Sequence, residues 1–112
     1  MKKIEAIIRP EKLESVRDAL EKVDSPGLMI TEIEGHGKQK GITQQWRGRE
    51  YKVELLQKVK IEIVAKEQDV ERIIKAISDT AKTGKIGDGK IFVYPVENAI
   101  RIRTGEKGDI AL

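Results

Sequence analysis

The order of two hydrophobic periodicities restricts the fold of this chain more than any other feature of its sequence. Apolar residues at every second position, or dense β-branched and apolar content, predict strands. The segments of this kind are residues 3–9, 28–35, 58–64 and 90–94. Apolar residues every three or four positions predict two amphipathic helices, one from Pro10 to the Ser25-Pro26-Gly27 turn and one over residues 70–82.

The resulting order is strand, helix, strand, strand, helix, strand. It consists of two βαβ-like halves and predicts an α+β, ferredoxin-like βαββαβ sandwich. A short additional strand is predicted at Asn98–Arg103. Residues 1–112 form a single predicted domain, with a long loop at about 37–55 between the second and third strands and a mobile polar tail at about 104–112.

The predicted sheet has more apolar surface than two helices can cover. The helices cover one face of a four-stranded sheet, whereas the run Ile91-Phe92-Val93-Tyr94 is apolar on both faces. Self-association into a cyclic homo-oligomer is the simplest way to bury the second face. The alternative is exposure of a few apolar side chains, which is normal for soluble proteins.

Composition excludes several kinds of site. The sequence contains no cysteine, which excludes disulfides, thiolate nucleophiles and zinc–thiolate sites and fits a reducing compartment. No apolar signal region follows Met1–Glu5, and no apolar run reaches membrane-spanning length. We therefore expect a cytoplasmic location.

The predicted loop at 37–55 is basic and contains aromatic residues. It has five basic and two acidic residues, so this segment accounts for the whole net charge of +3. Trp46, Arg47 and Tyr51 belong to residue types that are enriched at interface hot spots. Structureless loops of this length are uncommon, so we expect the loop to fold against a partner, with a flexible insertion that has no role as the alternative.

A glycine-rich turn precedes the last long strand. Residues 83–93 contain three glycines and two lysines, and glycine lets backbone N–H groups approach an anion closely and form a nest. A lone Gly-Asp-Gly is ordinarily a turn, and Arg101-x-Arg103 on a strand is ordinarily a solvated face. Together with Lys90, however, they predict a polyphosphate site, which matches neither a Walker loop nor a dinucleotide fingerprint.

Several long segments of the sequence resemble, in order, the P-II nitrogen-regulatory signal-transduction family. They are residues 1–10, Gly35–Gly41, Trp46–Tyr51 and Thr83–Val93. The resemblance implies a non-enzymatic sensor, a homotrimer that binds ATP or ADP competitively in three clefts between subunits. By the same resemblance, 2-oxoglutarate would bind with MgATP at the base of the T-loop, which is the loop at about 37–55. The T-loop would then regulate an ammonium transporter or a nitrogen-assimilation enzyme such as glutamine synthetase.

The resemblance also implies roles for individual residues. The implied nucleotide-binding positions are Ile7, Gly35, Gly37, Lys38, Gln39, Glu62, Val64, Gly87, Asp88, Gly89, Lys90, Arg101 and Arg103. Among these, Ile7, Glu62 and Val64 would line the adenine and ribose pocket. The implied 2-oxoglutarate positions are Gly37, Gln39, Lys40, Gly41, Lys58 and Gly87.

Three implied roles are specific in their chemistry. The side-chain oxygen of Gln39 would ligate Mg²⁺, which prefers oxygen ligands and borrows most of them from substrate. Lys58 would pair with the distal carboxylate of 2-oxoglutarate, and Arg47 would contact the ammonium channel.

Some positions depart from the family's usual pattern or bear on modification. Met29 stands where a threonine often hydrogen-bonds adenine, and Trp46 replaces a T-loop tyrosine. Arg49 occupies the position of a serine that is phosphorylated in some members, which excludes that modification here. Tyr51 matches the tyrosine that is uridylylated in some bacterial members and is a candidate modification site.

Two other functions stay open at this point. A small nucleotide-hydrolysing enzyme would need an acidic pair or a nucleophile elbow, and the sequence has neither near the glycine turn. A single-stranded RNA-binding module would place aromatic residues on central strands, whereas Trp46 and Tyr51 lie in the loop. We therefore expect neither catalysis nor a nucleic-acid partner.

Overall fold

The computed structural model describes the backbone of residues 1–46 and 49–112 and the side chains of residues 1–35 and 56–112. Within this part of the chain there are four strands and two α-helices, in the predicted order. They are β1 (Lys2–Ile8), α1 (Leu13–Lys22), β2 (Leu28–Trp46), β3 (Arg49–Ala65), α2 (Val70–Ala81) and β4 (Lys90–Pro95). In the described residues, no helix has both the length and the hydropathy that crossing a membrane requires.

The four strands form one antiparallel sheet in the order β2-β3-β1-β4. Alternate residues of β1 and β3 point to the same face of the sheet and pack against the apolar stripes of both helices. The core side chains with no more than 1% exposure are Ile4, Ala6, Val16, Leu20, Ile61, Ile63, Ala65, Ile73 and Ile77. This arrangement confirms the predicted α+β βαββαβ sandwich.

Local sequence explains where the first helix begins and ends. Pro10 occupies the first position of a 3₁₀ turn, Pro10–Lys12, that leads directly into α1, because its fixed φ suits a helix start. At the other end, Asp24 adopts a φ of 52°. The N–H groups of Asp24 and Ser25 donate to the carbonyls of Glu21 and Leu20, each at 3.1 Å, which is a Schellman motif.

The insertion between β2 and β3 differs from the prediction in its backbone. The sequence predicts strand ends near Gly35 and Lys58, but both strands continue into the insertion and pair with each other. The register sets Gly37 opposite Glu54 and, after a shift beyond Gln39, sets Gln44 opposite Tyr51. Antiparallel pairing satisfies the backbone N–H and C=O groups that a loop would leave to solvent, which explains the difference.

The predicted short strand at Asn98–Arg103 is wrong. Its only ladder contact in the described structure is an isolated bridge between Ile100 and Lys107, and the chain turns between them. Alternation of Ile and Arg suggested a strand, but the segment folds back on itself, with the N–H of Arg101 donating to the carbonyl of Glu106 at 2.9 Å. The predicted mobile tail contains a 3₁₀ helix, Gly108–Ala111, and its mobility stays a prediction.

The sheet face away from the helices, which we call the open face, carries charges as well as apolar groups. Lys3 contacts Glu62 at 2.9 Å, and Lys60 lies 3.7 Å from both Glu5 and Glu62. Hydrogen bonding to Lys3 holds the pKa of Glu62 below its ordinary value. Exposed Phe92 and Tyr94 lie beside these ion pairs, and the Tyr94 hydroxyl donates to Glu5. The second face is therefore amphipathic rather than simply apolar.

Candidate anion-binding site

The glycine-rich turn lies at the end of the sheet where β1 finishes and β4 begins. Antiparallel pairing sets Ile7 opposite Lys90. Residues 83–89, which we call the glycine loop, therefore pass beside the last residues of β1. Arg9, just after β1, and Lys58, on β3, hydrogen-bond to the same loop. The site is thus built from three parts of the chain that are distant in sequence.

Two glycines are required by the geometry of the loop. Gly87 and Gly89 have φ values of 102° and 103°, a region that side chains other than hydrogen rarely allow. A Cβ atom at Gly89 would lie 1.7 Å from the carbonyl oxygen of Ile7, and one at Gly87 would lie 3.2 Å from an Arg9 guanidinium nitrogen. The backbone can follow this path only without side chains, as an anion-binding nest requires.

The carboxylate of Asp88 is turned back into the loop. Its Oδ2 accepts from the N–H groups of Thr83 and Gly84, each at 2.9 Å. Its Oδ1 accepts from the Thr83 hydroxyl and from Nε of Arg9, the latter at 3.2 Å. The hydrogen bond from the Thr83 hydroxyl is the largest of several effects that hold the pKa of Asp88 well below its ordinary value. Asp88 is therefore ionised, and its carboxylate links the start of the loop, at Thr83 and Gly84, to its centre.

Two cations hold the carbonyls of the loop. Nη2 of Arg9 donates to the carbonyl of Ile86 at 2.9 Å, and Nζ of Lys58 donates to the carbonyl of Gly87 at 2.5 Å. In a planar trans peptide the C=O and N–H groups point in opposite directions, so the N–H groups of Gly87 and Asp88 are directed away from Arg9 and Lys58, respectively. Within the described residues, the N–H groups of Gly87 and Gly89 donate no hydrogen bond. The loop thus combines nearby positive charge with free backbone donors.

The residues implied for the adenine and ribose pocket lie on the open face. Ile7 is opposite Lys60 and Lys90 in the sheet, so these three side chains form one cross-strand row. Glu62 lies one row further along the sheet, opposite Met29, a residue that is 59% exposed. Val64, on β3, is opposite Lys3 of β1. Gly35, another implied nucleotide-binding position, lies on β2 opposite Leu56 of β3.

Arg101 and Arg103 do not join the glycine loop within this chain. The loop precedes Lys90, whereas the arginines follow Pro95, so they leave opposite ends of β4. The six residues of β4 span about 17 Å. Arg101 instead donates to the Glu106 carboxylate at 2.6 Å and to the carbonyl of Ile110 at 3.0 Å, within the C-terminal segment.

Several implied site positions lie in the insertion, and their side chains fall outside the described residues. They are Gly37, Lys38, Gln39, Lys40, Gly41, Trp46, Arg49 and Tyr51, with Arg47 wholly outside. The backbone register sets Lys38 opposite Val53 and Gln39 opposite Lys52. The roles implied for these side chains stay predictions.

Sequence reasoning missed Arg9 and Thr83 as parts of the site. Both residues lie in segments that support the family resemblance, but neither was given a role. The useful signal was the position of Arg9 directly after β1 and before Pro10. It becomes informative only when β1 is known to pair with β4, because that pairing brings Arg9 to the glycine loop.

The fold and the loop together define a class of protein, that of small ferredoxin-like proteins with a glycine-rich loop beside the central sheet. Comparison with known proteins narrows the class. The family model described as nitrogen regulatory protein P-II matches residues 1–106. This chain belongs to the nitrogen regulatory protein P-II family.

Relatives and a solved structure agree with this assignment. The chain is 57% identical to the nitrogen regulatory protein P-II of Pasteurella multocida and 55% identical to nitrogen regulatory protein P-II 1 of Escherichia coli. Both alignments include 112 residues and cover 100% of each protein. The structure of B. subtilis GlnK is similar with a TM-score of 0.84 at 38% identity, covering 99% of this chain and 97% of that one.

These comparisons confirm the predicted family resemblance and its broad function. The protein acts in nitrogen signal transduction and is a regulatory protein, not an enzyme, in agreement with the family description. The nucleotide-hydrolysing alternative is thereby set aside.

Replacement of Gly89 by alanine tests the close approach of the loop to β1. The new methyl group would lie 1.7 Å from the Ile7 oxygen, in a backbone conformation with a φ of 103°. We expect the free energy of unfolding to fall by about 1–3 kcal/mol, the usual range for local backbone strain, in urea denaturation. The matched control is Gly27→Ala, where no atom lies within 4 Å of the added group. Equal effects of the two substitutions would contradict the described loop geometry.

Proposed function

We propose that this protein is a cytoplasmic homotrimer that binds ATP or ADP between protomers and, with MgATP, binds 2-oxoglutarate. The T-loop then reports the ligand state to an ammonium transporter or a nitrogen-assimilation enzyme such as glutamine synthetase. The observation that carries the nucleotide part is the glycine loop, whose Gly87 and Gly89 combine positive φ with free N–H groups. Lys90, Lys58 and Arg9 supply positive charge around it.

The position of the two arginines supports a site shared between protomers. Arg101 and Arg103 follow the end of β4 that is far from the glycine loop, and Arg101 bonds to Glu106 and Ile110 instead of to the loop of its own chain. A second copy of the chain, related by cyclic symmetry, can present its C-terminal segment to the loop of the first. The exposed aromatic residues of the open face, Phe92 and Tyr94, offer apolar surface for such an assembly.

The proposed metal arrives with the nucleotide and is held mainly by nucleotide oxygens. Among the described side chains, no group of three or more His, Asp or Glu residues is arranged to hold a metal ion. Mg²⁺ is commonly held by one or two protein oxygens together with substrate phosphates. One amide oxygen from Gln39 would suffice if the phosphates and a keto acid supply the other ligands.

The contact between Lys58 and the glycine loop supports a second ligand next to the first. Lys58, the residue proposed for the distal carboxylate of 2-oxoglutarate, donates to the carbonyl of Gly87. Lys58 lies on β3, and the N-terminal part of the same strand belongs to the insertion. A ligand that contacts both parts can favour one arrangement of the insertion, because it shifts an equilibrium only through differential affinity for the two states.

The double variant Arg101→Gln/Arg103→Gln tests the arginine role. Hydrogen bonds to charged groups contribute about 1.5–3 kcal/mol each, so losing both should weaken ATP binding about 10²- to 10⁴-fold in calorimetry. The control, Arg17→Gln/Lys22→Gln, removes two exposed cations from α1 and should leave the affinity unchanged.

Mixed trimers then test whether the site is shared. A variant that lacks the arginines, mixed by refolding with a Lys90→Ala variant, should regain tight binding at about a quarter of the interfaces, where each copy supplies its intact half. If mixing restores nothing while each parent assembles normally, the two halves belong to the same protomer and the shared site is wrong.

The substitution Gln39→Ala tests the link between the metal and 2-oxoglutarate. Because the side chain of Gln39 is proposed to ligate the Mg²⁺ on which 2-oxoglutarate binding depends, we expect 2-oxoglutarate binding in the presence of MgATP to weaken far more than ATP binding. Calorimetric titrations of the two ligands measure both effects. Equal losses for the two ligands would remove the role assigned to Gln39.

A pull-down from cell extract tests the output of the sensor. The protein is immobilised and offered to extract with MgATP, with and without 2-oxoglutarate. We expect the captured set of nitrogen-metabolism proteins to change between the two conditions, since 2-oxoglutarate is proposed to alter the T-loop. A variant lacking residues 42–52 serves as the control and should capture none of them. Identical capture in both conditions would exclude the proposed switch.

A further inference from the structure

Two charged side chains, Arg9 and Asp88, hydrogen-bond to each other and to Thr83, Gly84 and Ile86 of the glycine loop, and none of these described bonds uses the N–H group of Gly87 or Gly89. We propose that Arg9 and Asp88 are positioning residues, which fix the loop backbone so that the Gly87 and Gly89 N–H groups stay available to a polyphosphate. The proposal rests on the proposed function in one respect, that the loop binds phosphates. It gives neither side chain a direct contact with the ligand.

Every contact described for the Asp88 carboxylate lies inside the protein. Each oxygen accepts two hydrogen bonds, Oδ2 from two backbone N–H groups and Oδ1 from the Thr83 hydroxyl and Arg9. A carboxylate cannot donate to a phosphate, and two like charges in contact repel. The Asp88 side chain is therefore suited to bind the start of the loop, at Thr83 and Gly84, to its centre.

The guanidinium of Arg9 spans the centre of the loop. It donates to the Asp88 carboxylate on one side and to the carbonyl of Ile86 on the other. Gly87 lies between them, and its absent side chain leaves the space in which the guanidinium fits. The side chains of Arg9 and Asp88 are 23% and 24% exposed, so their ion pair is better shielded than an ordinary surface pair.

The backbone of Arg9 is itself held in place. It follows β1 with φ of −65° and ψ of 139°, the extended conformation that a following proline favours. Its carbonyl accepts from the N–H of Lys12 at 3.0 Å, at the start of the 3₁₀ turn. The guanidinium thus extends from a defined point of the sheet, and the loop that it holds is ordered before ligand arrives. Such preorganisation improves affinity because less conformational entropy is lost on binding.

Calorimetry with ATP and with inorganic tripolyphosphate tests the proposal. Arg9→Met and Asp88→Asn should each weaken both ligands about 10- to 100-fold, the range for one charged hydrogen-bonding group. Arg9→Lys keeps a charged donor and should recover part of the loss. The matched controls are Arg17→Met and Asp79→Asn, on exposed helix surfaces, which should bind like the unaltered protein.

Two results separate positioning from direct contact. Because Arg9 and Asp88 act as one unit, the double variant should lose no more affinity than either single variant. If Asp88 instead faced the phosphates, Asp88→Asn would remove a repulsion and tighten binding, and that result would overturn the proposal. Additive losses in the double variant would overturn it as well.

The backbone itself provides a readout that needs no ligand. In ¹⁵N–¹H spectra of the free protein, the amide signals of Gly87 and Gly89 should shift or broaden in Arg9→Met and Asp88→Asn but not in the controls. Unchanged signals would contradict the positioning role. If Arg9→Met does not fold, Arg9→Lys and Asp88→Asn provide the same tests.

The failure of this inference can be told apart from failure of the proposed function. If the unaltered protein binds neither ATP nor tripolyphosphate, the phosphate site is wrong, whatever the variants do. If the unaltered protein binds both and the variants bind equally well, the site stands and the positioning role is wrong.

Discussion

The passage of Gly89 against the carbonyl of Ile7 is the contact on which the rest of the site depends. A Cβ atom there would lie 1.7 Å from the Ile7 oxygen, so only glycine allows β4 to begin so close to the end of β1. In the described sheet β4 pairs with β1 alone, and this approach therefore determines where Lys90 and the rest of β4 lie. It also brings the glycine loop within reach of Arg9 and Lys58. A single steric requirement thus connects the sheet to the loop that presents backbone donors.

The charges of the open face are already paired within the chain, which lowers the energetic cost of covering this face with a second copy. Isolated charges are expensive to remove from water, whereas charges that are already paired lose less on burial. Lys3 and Glu62 pair directly, and Lys60 lies close to both Glu5 and Glu62. A copy of the chain that covers Phe92 and Tyr94 would therefore bury pairs formed within one protomer. The exposed aromatic groups would supply the apolar area of such an interface.

Sequence predicted the fold more fully than the site, for physical reasons that differ between segments. The alternation of apolar residues in 58–64 and their helical spacing in 70–77 can be read from short segments of the sequence. Each segment buries its apolar face in the core, where Ile61 and Ile73 are completely buried. The Ile100–Arg103 alternation has no such face: Ile102 is fully exposed, so nothing enforced a strand. The extension of β2 and β3 depends on pairing between two polar segments, which periodicity of side chains does not encode. Arg9 was missed because its role arises only from the pairing of β1 with β4.

The hydrogen bond from Lys58 to the carbonyl of Gly87 gives the proposed sensor a physical basis for coupling two ligands. The carbonyl of Gly87 and the N–H of Asp88 belong to one planar peptide unit, so fixing one end orients the other. A carboxylate that pairs with Lys58 must share or displace this carbonyl, and so would act on the same peptide unit that borders the proposed phosphate site. By linkage, an anion at Lys58 and a phosphate at the glycine loop must then influence each other's affinity equally. The coupling is favourable if Lys58 keeps its hydrogen bond to the carbonyl of Gly87 while it binds the carboxylate, and unfavourable if that hydrogen bond is lost. A lysine has three donors, and sharing lets both anions bind together, which is the arrangement that a combined signal of carbon and energy status requires.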